Sequence, residues 1–161
     1  MVTGFDLLHH NRPLQKHWLK RLFAYIIDIV LSSFAAYGVF TVVSFGLGPT
    51  IFLYFPLVAG LIQVFYSSIL EYLFGYTLGK RIFDLEVESL QQELDSGRAL
   101  IRNFTKIHGL LLFLDWIAGM IVEGDPRRRY LDSIARTTVI GGAEPLHLPH
   151  FIQGKSTDEV E

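Results

Sequence analysis

From Lys20 to Phe45 the chain reads KRLFAYIIDIVLSSFAAYGVFTVVSF, apolar almost without relief after its opening basic pair. About 20 apolar residues at about 1.5 Å rise cross a hydrocarbon core of about 30 Å, so this stretch spans a bilayer with length left for tilt. Asp28 is its ionisable group past the first turn. A carboxylate at that depth costs about 2.5–3.5 kcal/mol, so it is expected to face protein or water rather than lipid. Arg21 lies two helical turns before it, and Tyr25 and Ser32 share the same face, which gives the helix one polar stripe. With Trp18 as interfacial anchor, the first span is expected over about Trp18 to Phe45. Gly46, Gly48 and Pro49 make a turn, and a second span follows from Ile51 to Phe74, with Pro56 in its first turns. So short a connection predicts an antiparallel helical hairpin. Gln63, Ser67 and Glu71 recur every four residues and give the second helix a polar stripe of its own.

Beyond Gly75 the period changes. In IFDLEVE (82–88) Asp84, Glu86 and Glu88 alternate with Phe83, Leu85 and Val87, the two-residue repeat of a half-buried strand. Thr137 to Ile140 reads as its partner strand, and 89–98 as a loop. A helical region starting near Arg98 carries Arg102, Lys106 and His108, then turns apolar from Gly109 to Val122 around Asp115. That apolar run is short for a span and suits a re-entrant or tilted segment. Residues 1–17 read as a cytoplasmic lead-in in which Pro13 breaks any helix, and 142–161 as a flexible tail with an acidic end. The expected fold is therefore an all-α membrane protein. It has a helical hairpin, a third tilted or re-entrant helix and a small cytoplasmic two-stranded β element, within one membrane domain over 18–141.

Composition supports the class: half the residues are hydrophobic and 19% are charged, against about 25% in soluble domains. A net charge of −2 without an interleaved basic–aromatic surface argues against nucleic acid as a partner. The absence of cysteine excludes disulfides and thiolate metal sites. The first 17 residues lack the apolar core of a cleaved signal peptide, so the first helix is expected to act as a retained signal-anchor. All 14 Lys and Arg lie at or before Arg21, between Lys80 and Lys106, or from Arg127 onward. The positive-inside rule then predicts a multi-pass cell-membrane protein with a cytoplasmic N-terminus. A third full span would export Arg127–Arg129, which favours the re-entrant reading of 104–122 over three ordinary spans.

These features together resemble the RDD family of small integral membrane proteins, named for one arginine and two aspartates. Arg21 and Asp28 in KRLFAYIIDIVL match its first pair, and Tyr76-Thr77-Leu78-Gly79-Lys80-Arg81 its glycine–lysine motif. Arg102-Asn103 match the pair entering the third helix, and Asp132 in RRRYLDSIARTTVI the second aspartate. The resemblance covers about 18–141. Leu78 stands where the motif usually has proline, and Arg136 where glycine is common; Arg136 is expected to pair with Asp132.

If the three polar stripes turn inward, Asp28, Gln63, Ser67, Glu71, His108 and Asp115 would line one hydrated pocket. Burial raises carboxylate pKa values and nearby cations lower them, so such a pocket could exchange protons near neutral pH, and hard cations take oxygen ligands. The function expected from this, and from the family, is transport of a small monovalent cation coupled to protons, with Asp28 as the central site and Glu71, Asp115, His108 and Gln63 as helpers. The alternative is a non-transporting scaffold or adaptor that assembles membrane partners, with Asp28 neutralised by Arg21 or Lys80. Asp132 would then latch the C-terminal segment to the 80–88 strand. Transport through so few helices would favour a homo-oligomer, packed through Ala35, Ala36 and Gly38. The histidines His9, His10, His147 and His150 lack carboxylates at ligand spacing, so no metal and no cofactor are expected. No nucleophile elbow, phosphate loop or metalloprotease motif is present, which argues against an enzyme.

Overall fold

The computed structural model describes residues 8, 9, 11–90, 94–122 and 125–141. The tail expected over 142–161 lies outside them, as do His10, His147 and His150.

Helix α1 runs from Arg12 to Leu47 and starts earlier than the hydropathy alone suggested. Pro13 does not break it. The ring sits in the first turn, where its missing N–H is no loss, and Asn11 caps the helix by accepting from Leu14 N at 3.3 Å. Gly48, at φ 78°, ends α1, and a 3-10 turn from Pro49 to Tyr54 leads into α2, Phe55–Phe74, which stops at the left-handed Gly75. These two helices are long and apolar enough to cross a membrane, and they form the expected hairpin.

Helix α3, Leu78–Ile82, is a single turn capped by Thr77, and strand β1, Leu85–Ser89, follows. β1 pairs antiparallel with β2, Thr137–Gly141, in the register Leu85 to Gly141 and Val87 to Val139. The alternation read from the sequence holds: Leu85 and Val87 are buried, Glu86 and Glu88 exposed. Leu85, Val87 and Val139 form an apolar cluster with Ala24 of α1, so the small sheet leans on the N-terminal half of the first helix. Between β2 and the short helix α6, Tyr130–Ile134, Arg136 adopts φ 52°. That left-handed conformation costs a residue with a side chain about 1–2 kcal/mol, a cost glycine would avoid.

Helix α4, Ser96–Asn103, is capped by Asp95; a 3-10 turn over Phe104–Ile107 joins it to α5, Gly109–Ile121. The two segments meet at 115°. At about 1.5 Å per residue, the 13 residues of α5 reach about 20 Å, short of the roughly 30 Å of a hydrocarbon core. The segments flanking α5 contact the first two helices. Lys106 before it faces Glu71 of α2, and after it Trp18 Nε1 of α1 donates to Pro126 O at 3.1 Å. The third helical region is thus bent, in keeping with the tilted or re-entrant helix expected.

Two close backbone approaches fix this arrangement. A Cβ on Gly60 of α2 would stand 2.0 Å from Ile107 O, and one on Gly119 of α5 would stand 2.6 Å from Arg128 O. Away from the charged layer the helices present apolar side chains outward, with Phe34 80%, Val42 71% and Phe45 89% exposed, as a lipid-facing surface requires.

Candidate functional site

Asp28 is fully buried and accepts three hydrogen bonds, two of them from the Thr77–Gly79 turn. Thr77 Oγ1 donates to Oδ2 at 2.5 Å, Gly79 N to Oδ1 at 2.9 Å, and Tyr66 OH to Oδ1 at 3.0 Å. Thr77 Oγ1 in turn accepts from Lys80 N at 3.3 Å, so the carboxylate helps hold the cap of α3. Gly79 has to be glycine here, because a Cβ would stand 2.1 Å from Ala24 O and 3.0 Å from Asp28 Cγ. The partners expected for Asp28 are therefore corrected. Arg21 reaches past it to Asp132, and Lys80 goes to Glu71.

Glu71, at the end of α2, is also fully buried, and cations surround it. Lys80 Nζ lies 2.5 Å from Oε1, Arg102 Nε 3.2 Å from Oε2, Lys106 Nζ 3.6 Å from Oε1, and Asn103 Nδ2 donates to Oε2 at 2.7 Å. Asp132 is held in the same manner. Arg21 Nη2 donates to it at 2.8 Å, Arg129 Nη2 at 3.2 Å, and Arg102 Nη2 stands 3.2 Å away. Arg102 thus bridges Glu71 and Asp132, through ion pairs whose angles fall short of hydrogen-bond geometry. Asp132 is a latch, but it ties the C-terminal segment to α1 and α4, not to the 80–88 strand as expected. Asp115 accepts from Thr105 Oγ1 at 3.1 Å and Leu131 N at 2.8 Å, with Arg129 Nη1 at 3.6 Å.

The carboxylates are brought into one layer, yet they do not share one acidic pocket. His108 is exposed and serves as the N-cap of α5, its Nδ1 accepting from Leu110 N at 3.3 Å. Gln63 and Ser67 are buried on α2, and their side-chain polar atoms have no partner among the described residues. Ala36 is buried within the hairpin while Ala35 and Gly38 are exposed, so the three do not form one packing face.

Several members of this layer were not singled out as site residues from the sequence. Thr77, Tyr66 and Lys106 each bind one of the carboxylates, and Arg129 binds both Asp115 and Asp132. Lys106 had a signal, since it lies one turn after Arg102 on the same face. Gly60 had one too, three residues before Gln63 on the buried stripe that Gln63, Ser67 and Glu71 define. Arg129 had none, because its neighbours Arg127 and Arg128 are the same residue type and are partly exposed.

Burial by itself would raise the Asp132 carboxyl, but Arg129, Arg102 and Arg21 outweigh it and hold the group well below its usual value of 3.8. The stability this contributes is fully present above the unfolded value and is lost only as pH falls through the depressed folded value. Folding is therefore expected to be insensitive to Asp132 from about pH 8 to about pH 5, and to fail in strong acid. Tryptophan fluorescence against pH checks this. A transition between about pH 5 and pH 7 that Asp132→Asn removes would contradict it.

A cavity of about 910 Å³ opens beside the layer, between α1 and α5. Its charged lining is Arg21, Lys80, Lys106, Arg129 and Asp28, and the remainder is mostly apolar. No group of His, Asp and Glu suited to a metal ion occurs among the described residues.

A family model described as the RDD family matches residues 16–136. No curated protein and no solved structure matches the chain.

Proposed function

The chain belongs to the RDD family of integral membrane proteins, and from its charged layer we propose that it is a non-transporting scaffold or adaptor that assembles membrane partners, not a cation–proton exchanger. One observation carries this reading: of the five charged side chains facing the cavity, four are cations. A pathway for monovalent cations wants carboxylate and carbonyl oxygens free to coordinate. Here Glu71, Asp115 and Asp132 are each paired with fixed cations, and Asp28 with three fixed donors.

Depth supports the same reading. The 36 residues of α1 reach about 54 Å at about 1.5 Å each, against a core of about 30 Å. The last 20 or so residues before Leu47, back to about Asp28, already cross it. Arg21, and with it the ion pairs to Asp132, then lie at headgroup level, not at the bilayer centre. With the basic segments placed by the positive-inside rule, that face is cytoplasmic and the protein multi-pass.

The test is ion flux in proteoliposomes with a trapped pH dye, an imposed proton gradient and added Na⁺, K⁺ or Li⁺. A flat trace from inserted protein is expected, with Asp28→Asn lowering the yield of folded protein because its three donors lose their carboxylate. A cation-dependent signal abolished by Asp28→Asn, in protein that still folds, would overturn the proposal and restore the exchanger.

A further inference from the structure

The charge of the layer does not balance. Five cations (Arg21, Lys80, Arg102, Lys106 and Arg129) face four carboxylates (Asp28, Glu71, Asp115 and Asp132), all joined through the contacts above. The surplus has an address. Lys106 is buried, stands 3.6 Å from Glu71, beyond hydrogen-bond reach, and makes no hydrogen bond among the described residues. It also lines the cavity, beside Arg21 and Arg129. An ammonium has three donors to place, and leaving them unpaired in a buried site is costly.

The cavity walls carry the second half of the argument. Leu19 and Leu22 of α1 face Leu112 and Phe113 of α5 across it. They form apolar walls on either side of the gap. At about 910 Å³ the gap is at the large end of the roughly 300–1,000 Å³ typical of ligand sites. We infer that this cleft is a binding site for an anionic phospholipid, its phosphate taken by Lys106, Arg21 and Arg129 and an acyl chain laid between α1 and α5. A compact anion would satisfy the cations and leave the walls uncovered; a neutral apolar helix would cover the walls and leave the Lys106 ammonium without a hydrogen-bond acceptor. A lipid does both.

Both tryptophans of the chain, Trp18 and Trp116, line this cleft with ring centroids 6.0 Å apart, so intrinsic fluorescence reports on it. The protein is reconstituted in phosphatidylcholine vesicles containing either brominated phosphatidylglycerol or brominated phosphatidylcholine at equal mole fraction. Bromine quenches only within contact range. The anionic lipid is expected to be favoured about fivefold, the worth of one lysine–lipid charge contact near the surface. The preference should persist in 1 M salt, which screens exposed charges far more than buried ones.

Lys106→Gln should abolish most of the preference. Because that variant sits in a buried network, Gly109→Leu serves beside it. Gly109 lines the cleft and has nothing within 4 Å of an added Cβ, so leucine enters open space and should block the lipid in a protein with unchanged circular dichroism. Equal quenching by the two lipids would overturn the site. So would a preference that salt removes and neither variant alters, since that is general attraction to Arg127 and Arg128. Recovery of fluorescence on adding inorganic phosphate would assign the cations to a free anion and overturn the lipid.

Discussion

Glu71→Gln is expected to be the most damaging single change in the charged layer, costing about 3–5 kcal/mol of folding stability, the range for uncovering a buried charge. The two side chains have nearly the same shape, so packing is not the cause. The cause is that Lys80, Arg102 and Lys106 would face one another at 2.5–3.6 Å from a neutral amide. A layer already one positive charge in excess would be two in excess. Arg102→Met makes the comparison sharp. It removes a larger, fully buried side chain that bridges Glu71 and Asp132, yet it brings the layer to balance, and both carboxylates keep other cations. It is therefore expected to cost less than Glu71→Gln. Unfolding in mixed detergent micelles, followed by tryptophan fluorescence, ranks the two. If Arg102→Met proved equal or worse, the excess of positive charge, and the lipid argument built on it, would lose its footing.

Periodicity made the scaffold readable and left the wiring unreadable. The hairpin, the two strands and the bent third segment follow from apolar run lengths and from the switch between helical and two-residue periods, which are local properties. Partner choice among charges is not local. Arg21 and Asp28 share a helix face, yet Arg21 pairs with Asp132, 111 residues away, because α6, packed against α4 and α5, brings a second carboxylate within its reach. The stripe Gln63, Ser67, Glu71 was visible as a stripe; that Glu71 meets three cations depends on where α3 and the 104–107 turn dock. Pro13 shows the opposite error. By type alone proline marks a boundary, yet the first turn of a capped helix is where it does no harm. The family pattern carried the most long-range information, for Arg21, Asp132 and Arg102 touch, and Gly79 donates to Asp28.

The glycine of that pattern yields the second large effect. Gly79→Ala is expected to destabilise the fold by about 3 kcal/mol, the upper part of the usual range for overpacking. The added methyl meets the Ala24 carbonyl at 2.1 Å, and that atom belongs to the backbone of α1, which cannot swing aside as a flexible side chain would. Relief requires the Thr77–Gly79 turn to lift away from α1. Lifting it breaks the bonds from Gly79 N and Thr77 Oγ1 to Asp28, so a steric fault becomes an electrostatic one, with a buried carboxylate stripped of two donors. Gly38→Ala is the control. It has open space around it on the lipid-facing side of α1, and alanine in a helix should be neutral or stabilising by up to about 1 kcal/mol. The coupling is also measurable. In an Asp28→Asn background the same Gly79→Ala change should cost clearly less, because the bonds it would break are already impaired. Full additivity would mean that the glycine serves helix contact alone and that the aspartate and the turn are independent features.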